Sequence, residues 1–143
     1  GQLVSIFQKH VGIGNGDPWC AAFVHYCISQ VDLVAKSLDS KDIDSGNYKS
    51  ASCVMTYNKT PDRFKGQTPQ EGALIVWKKK NTMLGHIGIV TRVYSAGSVE
   101  TIEGNTSPMH NINREGDGVY IKQRSINNEP NFVLLGFIYP WGV

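Results

Sequence analysis

Apolar residues fall along this chain in two regimes, helical spacing first and strand-like runs afterwards. Leu3, Val4, Ile6, Phe7 and Val11 recur at near-helical intervals, and Gly12-Ile13-Gly14-Asn15-Gly16 stops any helix there. Asp17-Pro18 then supplies an N-cap residue followed by proline at the first helical position. The spacing predicts a second helix from 18 to about 31, with Ala21, Phe23, Val24, Cys27, Ile28 and Val31 as its apolar positions. Its early turns are apolar nearly all round, which predicts a buried helix. Residues 33–45 are polar and loop-like. Tyr48, Ala51, Val54, Met55 and Tyr57 predict a third, shorter helix before Thr60-Pro61.

From Thr68-Pro69 onward the pattern is that of strands, over 73–77, 86–94, 99–103, 118–122 and 132–139. A short turn carrying Gly97 joins the second to the third. Helices followed by consecutive strands predict an α+β fold, with N-terminal helices packed on a C-terminal antiparallel sheet of about five strands. At 143 residues the chain is expected to form one domain over 1–143 with a single core of its own.

Composition changes this picture little. The chain is 41% hydrophobic and 18% charged, as ordinary globular proteins are, and its fifteen glycines suit a loop-rich, strand-containing fold. A net charge of +2 is too small to argue for nucleic acid. The one basic run, Lys78-Lys79-Lys80, lies between two apolar segments and reads as a solvated hairpin tip. A mild positive excess still suits an anionic polymer. No segment reaches the length of a membrane span. The chain starts at Gly1 rather than Met, as a processed or recombinant fragment would, and shows no secretory leader, which leaves its route of export open.

Three cysteines leave at least one thiol unpaired within the chain. Cys20 and Cys27 lie seven apart on one predicted helix, about 10 Å along its axis, too far for a disulfide. Cys20–Cys53 and Cys27–Cys53 remain open, and there is no CxxC spacing to signal zinc or a redox motif.

The informative segment is Asp17-Pro18-Trp19-Cys20-Ala21-Ala22-Phe23-Val24. A cysteine opening a helix sits in the positive field of exposed backbone N–H groups, which favours thiolate and can receive an oxyanion. Small residues after it let the helix pack closely on a sheet. Taken alone, such a cysteine is equally well a small core residue. The second piece is Gly85-His86-Ile87-Gly88-Ile89-Val90, a polar His opening an apolar strand, with flanking glycines leaving space around it. The third is Glu103-Gly104-Asn105, which ends the next strand. If those two strands form a hairpin, His86 and Glu103 meet at one edge, where the carboxylate would hold the imidazole by a ring N–H. Nucleophile, base and orienting carboxylate then follow the logic of a thiol triad.

On Trp19-Cys20-Ala21-Ala22-Phe23-Val24, Gly85-His86-Ile87-Gly88-Ile89-Val90 and Thr101-Ile102-Glu103-Gly104-Asn105, the chain resembles the CHAP family of cysteine, histidine-dependent amidohydrolases and peptidases. The likeness covers roughly 3–105. It implies a papain-like fold and peptidoglycan as substrate, cut at an amide bond of the cell-wall peptide. It implies Cys20 as nucleophile, His86 as general base and acid, Glu103 as the group orienting His86, and Asn105 as a further polar member. Some members bind calcium through acidic residues ahead of the cysteine; only Asp17 stands there, so neither metal nor cofactor is expected. The expected partner is the peptidoglycan peptide, without nucleic acid or membrane, met by a monomer outside the cell or in the periplasm. An endolysin, a cell-separation hydrolase and a bacteriolytic effector all fit this description.

Trp19 and Asp17 adjoin the nucleophile and are the candidate substrate-binding residues, while Trp77 could be a further apolar wall or plain core. His25 lies about 140° round the helix from Cys20 and is read as structural. His10 and His110 are given structural or solvated roles, with His110 near the rim of the cleft. Cys27 is expected in the core. Two alternatives are an NlpC-type D-glutamyl endopeptidase, in which a second His commonly takes the place of Glu103, and a non-catalytic peptidoglycan-binding domain.

Overall fold

The computed structural model describes residue 6 and residues 20–29, 52–105 and 118–140. Of the predicted first helix only Ile6 is among them, helical and exposed. The second predicted helix is seen as α1, Cys20–Ser29. Ala21, Ala22 and Val24 are fully enclosed, and Phe23 and Ile28 nearly so, as an all-round apolar pattern requires. The small side chains of Ala21 and Ala22 let α1 lie against the sheet. The third predicted helix is seen as α2, Cys53–Lys59. Ser52 caps it by accepting from the Met55 N–H at 3.1 Å, and the extended Thr60-Pro61 pair ends it. Its inward face differs from the expected one. Cys53, Val54 and Thr56 point inward, whereas Met55 is exposed and Tyr57 half-buried.

Six antiparallel strands follow: β1 Lys65–Gly66, β2 Leu74–Lys79, β3 Gly85–Ser95, β4 Ser98–Asn105, β5 Gly118–Ser125 and β6 Phe132–Ile138. Their order in the sheet is β1-β6-β2-β3-β4-β5. The fold is therefore α+β with an antiparallel sheet, as the pattern predicts. The count of about five strands is corrected to six. The added strand, β1, is a Lys-Gly pair held against Phe137 and Ile138, too short and polar to leave an alternating signal. Lys80 and Asn81 (φ 61°) turn the chain between β2 and β3, which places the basic run at a hairpin tip as expected.

The unbroken apolar run of β2 has a physical reason, because both faces of that strand are covered. Leu74 and Val76 join Ile87, Ile138 and Phe64 beneath the two helices. Ala73, Ile75 and Trp77 join Val90, Val99, Phe132, Phe137 and Tyr139 in a second cluster drawn from the strands and their connections. Register shifts beside Val76/Trp77 and Val90/Arg92 mark bulges, which increase the local twist of the sheet. No helix among the described residues is long and apolar enough to cross a membrane.

Candidate active site

His86 pairs with Trp77 in the β2–β3 ladder, and Ile89 pairs with Ile102 in the β3–β4 hairpin. That hairpin brings the start of β3 beside the end of β4, so His86 and Glu103 meet as the sequence predicts. His86 Nε2 donates to Glu103 Oε1 at 2.5 Å, with both side chains fully buried. The two glycines flanking His86 do leave space, and the structure shows what fills it. A Cβ on Gly88 would lie 2.8 Å from Glu103 Cγ, so Gly88 makes room for the carboxylate. A Cβ on Gly85 would lie 2.6 Å from the Trp77 carbonyl and 3.3 Å from Cys53 Cβ, so Gly85 makes room for α2. Beneath the imidazole, the Trp77 ring stacks at 6.2 Å and 20° and donates through Nε1 to the Ile126 carbonyl. Trp77 is wholly enclosed, which makes it core rather than a substrate wall.

Glu103 is held by more than His86. Its Oε2 accepts from Thr101 Oγ1 at 2.5 Å and from Arg124 Nε at 2.8 Å, and its Oε1 also accepts from Arg124 Nη2 at 2.5 Å. Four donors fill the lone pairs a carboxylate offers, so Glu103 can orient and carry charge but has no capacity left for proton transfer. Arg124 in turn donates through Nη1 to Glu129 Oε1 at 2.8 Å. Burial alone would push the Glu103 pKa up; the Arg124 hydrogen bonds and the His86 charge reverse this and hold it far below the usual carboxylate range. Sequence reasoning missed Arg124 altogether. It sits on β5 opposite Val99, four residues along the ladder from the Glu103 pairing with Tyr120, and an arginine in a strand reads by default as a surface charge.

Cys20 is the first residue of α1 and is only 3% exposed. Its thiol pKa lies well below the ordinary value. The largest cause is a hydrogen bond with Cys53; burial opposes it, and the nearby His86 and the Ala21 N–H add to it. The two sulfurs are 3.1 Å apart, and with Cys20 ionised the Cys53 thiol is the donor. Cys53 is driven the other way, its pKa raised first by that hydrogen bond, then by burial and by the Cys20 charge. Cys27 is raised by burial alone, and all three thiols are free. The Cys20 sulfur therefore stands apart from both others in favouring thiolate.

Burial pulls the His86 pKa down, but the Glu103 carboxylate and the Cys20 sulfur overcome it and lift the value to about 9. With Nε2 committed to Glu103, Nδ1 is the ring atom left to serve the thiol. It is buried and has no hydrogen-bond partner among the described residues, a condition that buried polar atoms seldom meet without a functional reason. No hydrogen bond to Cys20 closes at Nδ1 in this conformation, yet the two groups lie close enough for each charge to favour the other.

The remaining candidates sort clearly. His25 is fully buried and pairs through Nε2 with Thr56 Oγ1 at 3.0 Å, a structural role as expected. Cys27 packs against the helix-side core. The backbone of Asn105 ends β4 opposite Gly118. Asp17, Trp19, His10 and His110 lie outside the described residues, as does the side chain of Asn105. A surface cleft lined by Gln67, Lys80 and residues 127–134 contains none of the candidate site residues.

No curated protein and no solved structure matches the chain. The family model described as "CHAP domain" matches residues 12–105, well over half of the sequence, and that span holds Cys20, His86 and Glu103 in their observed order. On this match, the chain belongs to the CHAP domain family.

Proposed function

We propose that this protein is a peptidoglycan hydrolase that cleaves an amide bond of the cell-wall peptide, with Cys20 as nucleophile, His86 as general base and acid, and Glu103 as the group that orients His86. CHAP domains act in general as hydrolases of peptidoglycan, which supplies the substrate class. The observation that carries the reading is the buried His86–Glu103 pair beside a helix-start cysteine whose pKa is lowered. A papain-like arrangement, with the cysteine on a helix and the histidine on a sheet, is part of the same proposal.

In this mechanism the Cys20 thiolate attacks the amide carbonyl and the backbone N–H at Cys20 helps hold the oxyanion. His86 protonates the departing amine from Nδ1, since Nε2 stays on Glu103. Water then enters, His86 takes its proton, and the acyl-enzyme is released as a free carboxylate. The reaction is expected at the cell wall, outside the cytoplasm.

Incubating purified peptidoglycan with the protein should release new amino groups, and Cys20→Ser or Cys20→Ala should abolish that release. Persistent activity in both variants would overturn the assignment. Iodoacetamide labelling separates an enzyme from a binding domain of the same fold. Cys20 should react well below the pH at which ordinary thiols do, whereas an inert thiol would favour the binding domain. Labelling also measures access to a sulfur that is only 3% exposed.

A further inference from the structure

Cys53 takes no bond-making step in the mechanism just described, yet its sulfur is the hydrogen-bond partner of the Cys20 sulfur. The two cysteines stand 33 positions apart, one at the start of each helix, and their sulfurs meet at 3.1 Å in the core. Each is 3% exposed. Forming a disulfide from this position requires the sulfurs to close from 3.1 Å to about 2.05 Å, a movement of about 1 Å. Gly85 bears on this approach, because any side chain there would press on the α2 residue that carries the second sulfur.

We propose that Cys53 is a resolving thiol for Cys20, so that oxidation by hydrogen peroxide ends in a Cys20–Cys53 disulfide that closes the site reversibly. The consequence for activity rests on the reading of Cys20 as the nucleophile; formation of the bond does not.

The chemistry balances in two steps. The Cys20 thiolate attacks one peroxide oxygen, the O–O bond breaks, and hydroxide departs with a proton from His86 as water, leaving Cys20 as sulfenic acid. The Cys53 sulfur then attacks the Cys20 sulfur. The S–O bond breaks, and the oxygen leaves as a second water with the Cys53 proton. The two sulfurs lose two electrons in all and the peroxide gains them. A small dithiol reverses the change by attacking the disulfide and becoming a disulfide itself.

Two features of the pair favour this outcome over further oxidation. Burial shields the sulfenic acid from bulky external thiols, while Cys53 is already in contact, so the second step is intramolecular. The charge on Cys20 also restrains Cys53 while the site is reduced. Once Cys20 is a neutral sulfenic acid, the hydrogen bond to a thiolate and its charge are both gone, and only burial still holds the Cys53 thiol up.

The test uses the full chain. The reduced protein is treated with hydrogen peroxide, digested without reductant and mapped by mass spectrometry. A linked pair of peptides containing Cys20 and Cys53 is expected, unchanged in a Cys27→Ser variant. Release of amines from peptidoglycan should fall about tenfold or more with peroxide and return to within about twofold after dithiothreitol. In Cys53→Ser, read against its own reduced rate, the peroxide loss should be irreversible and Cys20 should carry sulfinic or sulfonic acid. Absence of the Cys20–Cys53 link in the wild type would overturn the proposal, as would full recovery of Cys53→Ser. A reduced wild type inert on peptidoglycan would instead count against the hydrolase reading, because the peptide map is scored without it.

Discussion

Replacing Glu103 by glutamine removes a charge from the middle of the buried network while nearly preserving its bulk. Glu103 accepts from His86, Thr101 and twice from Arg124. A glutamine offers one carbonyl oxygen and turns an amide NH₂ toward another donor, either Arg124 or His86. His86 then loses the carboxylate that, against the pull of burial, helps lift its pKa to about 9, and burial draws the value down, opposed only by the Cys20 sulfur. A fall of about two pH units in that value corresponds to about 3 kcal/mol of imidazolium stabilisation, or about a hundredfold in the ratio of charged to neutral ring. The sign is fixed by the direction of the shift. A raised histidine pKa stabilises the folded protein fully below the unfolded value of about 6.5, and the benefit is lost as pH rises through about 9. The assay is the initial rate of amine release across pH, beside thermal denaturation of the same samples. Wild type should lose activity as pH rises through about 9, where His86 gives up its proton. In Glu103→Gln that limb should move toward neutral pH, and kcat/KM should fall about a hundredfold at mildly alkaline pH, still less than the loss in Cys20→Ala. A variant whose limb stays near 9 and whose rate stays within about twofold of wild type would refute the reasoning.

Arg124→Met leaves the buried Glu103 charge with a single cationic partner and should destabilise the fold by about 3–5 kcal/mol in chemical denaturation; a loss below about 1 kcal/mol would show that the pair is not holding the site. Gly88→Ala places a Cβ 2.8 Å from Glu103 Cγ, pinned on four sides. It should cost about 1–3 kcal/mol and lower kcat by displacing the carboxylate from His86, and wild-type kinetics would contradict this. Thr56→Val removes the hydroxyl that receives His25 Nε2 and should cost about 1–3 kcal/mol by thermal denaturation, while the rate per folded molecule stays the same.

The parts of this molecule written locally were legible in its sequence. The all-round apolar start of α1, the continuous run of β2 and the β3–β4 hairpin each follow from side-chain pattern, and the His86–Glu103 contact follows from that hairpin alone. What escaped depends on distant pairing. Arg124 reaches Glu103 only because β5 lies beside β4 in a particular register, across a connection of more than ten residues that leaves no periodic signal. The sequence leaves Cys53 open between Cys20 and Cys27 as partners; the packing of α2 against α1 places it on Cys20. The inward turn of Thr56 in place of Met55 has the same origin, because a buried imidazole on α1 needs an oxygen from α2.

Cleavage of a peptide amide by Cys20 is decided by mass spectrometry of purified peptidoglycan digested by the wild-type protein and by Cys20→Ala. Fragments carrying a new amine and a new carboxylate at one amide bond of the peptide are expected from the wild type, with none formed by the variant. Fragments broken in the glycan strand, or the same peptide fragments from both proteins, would contradict this.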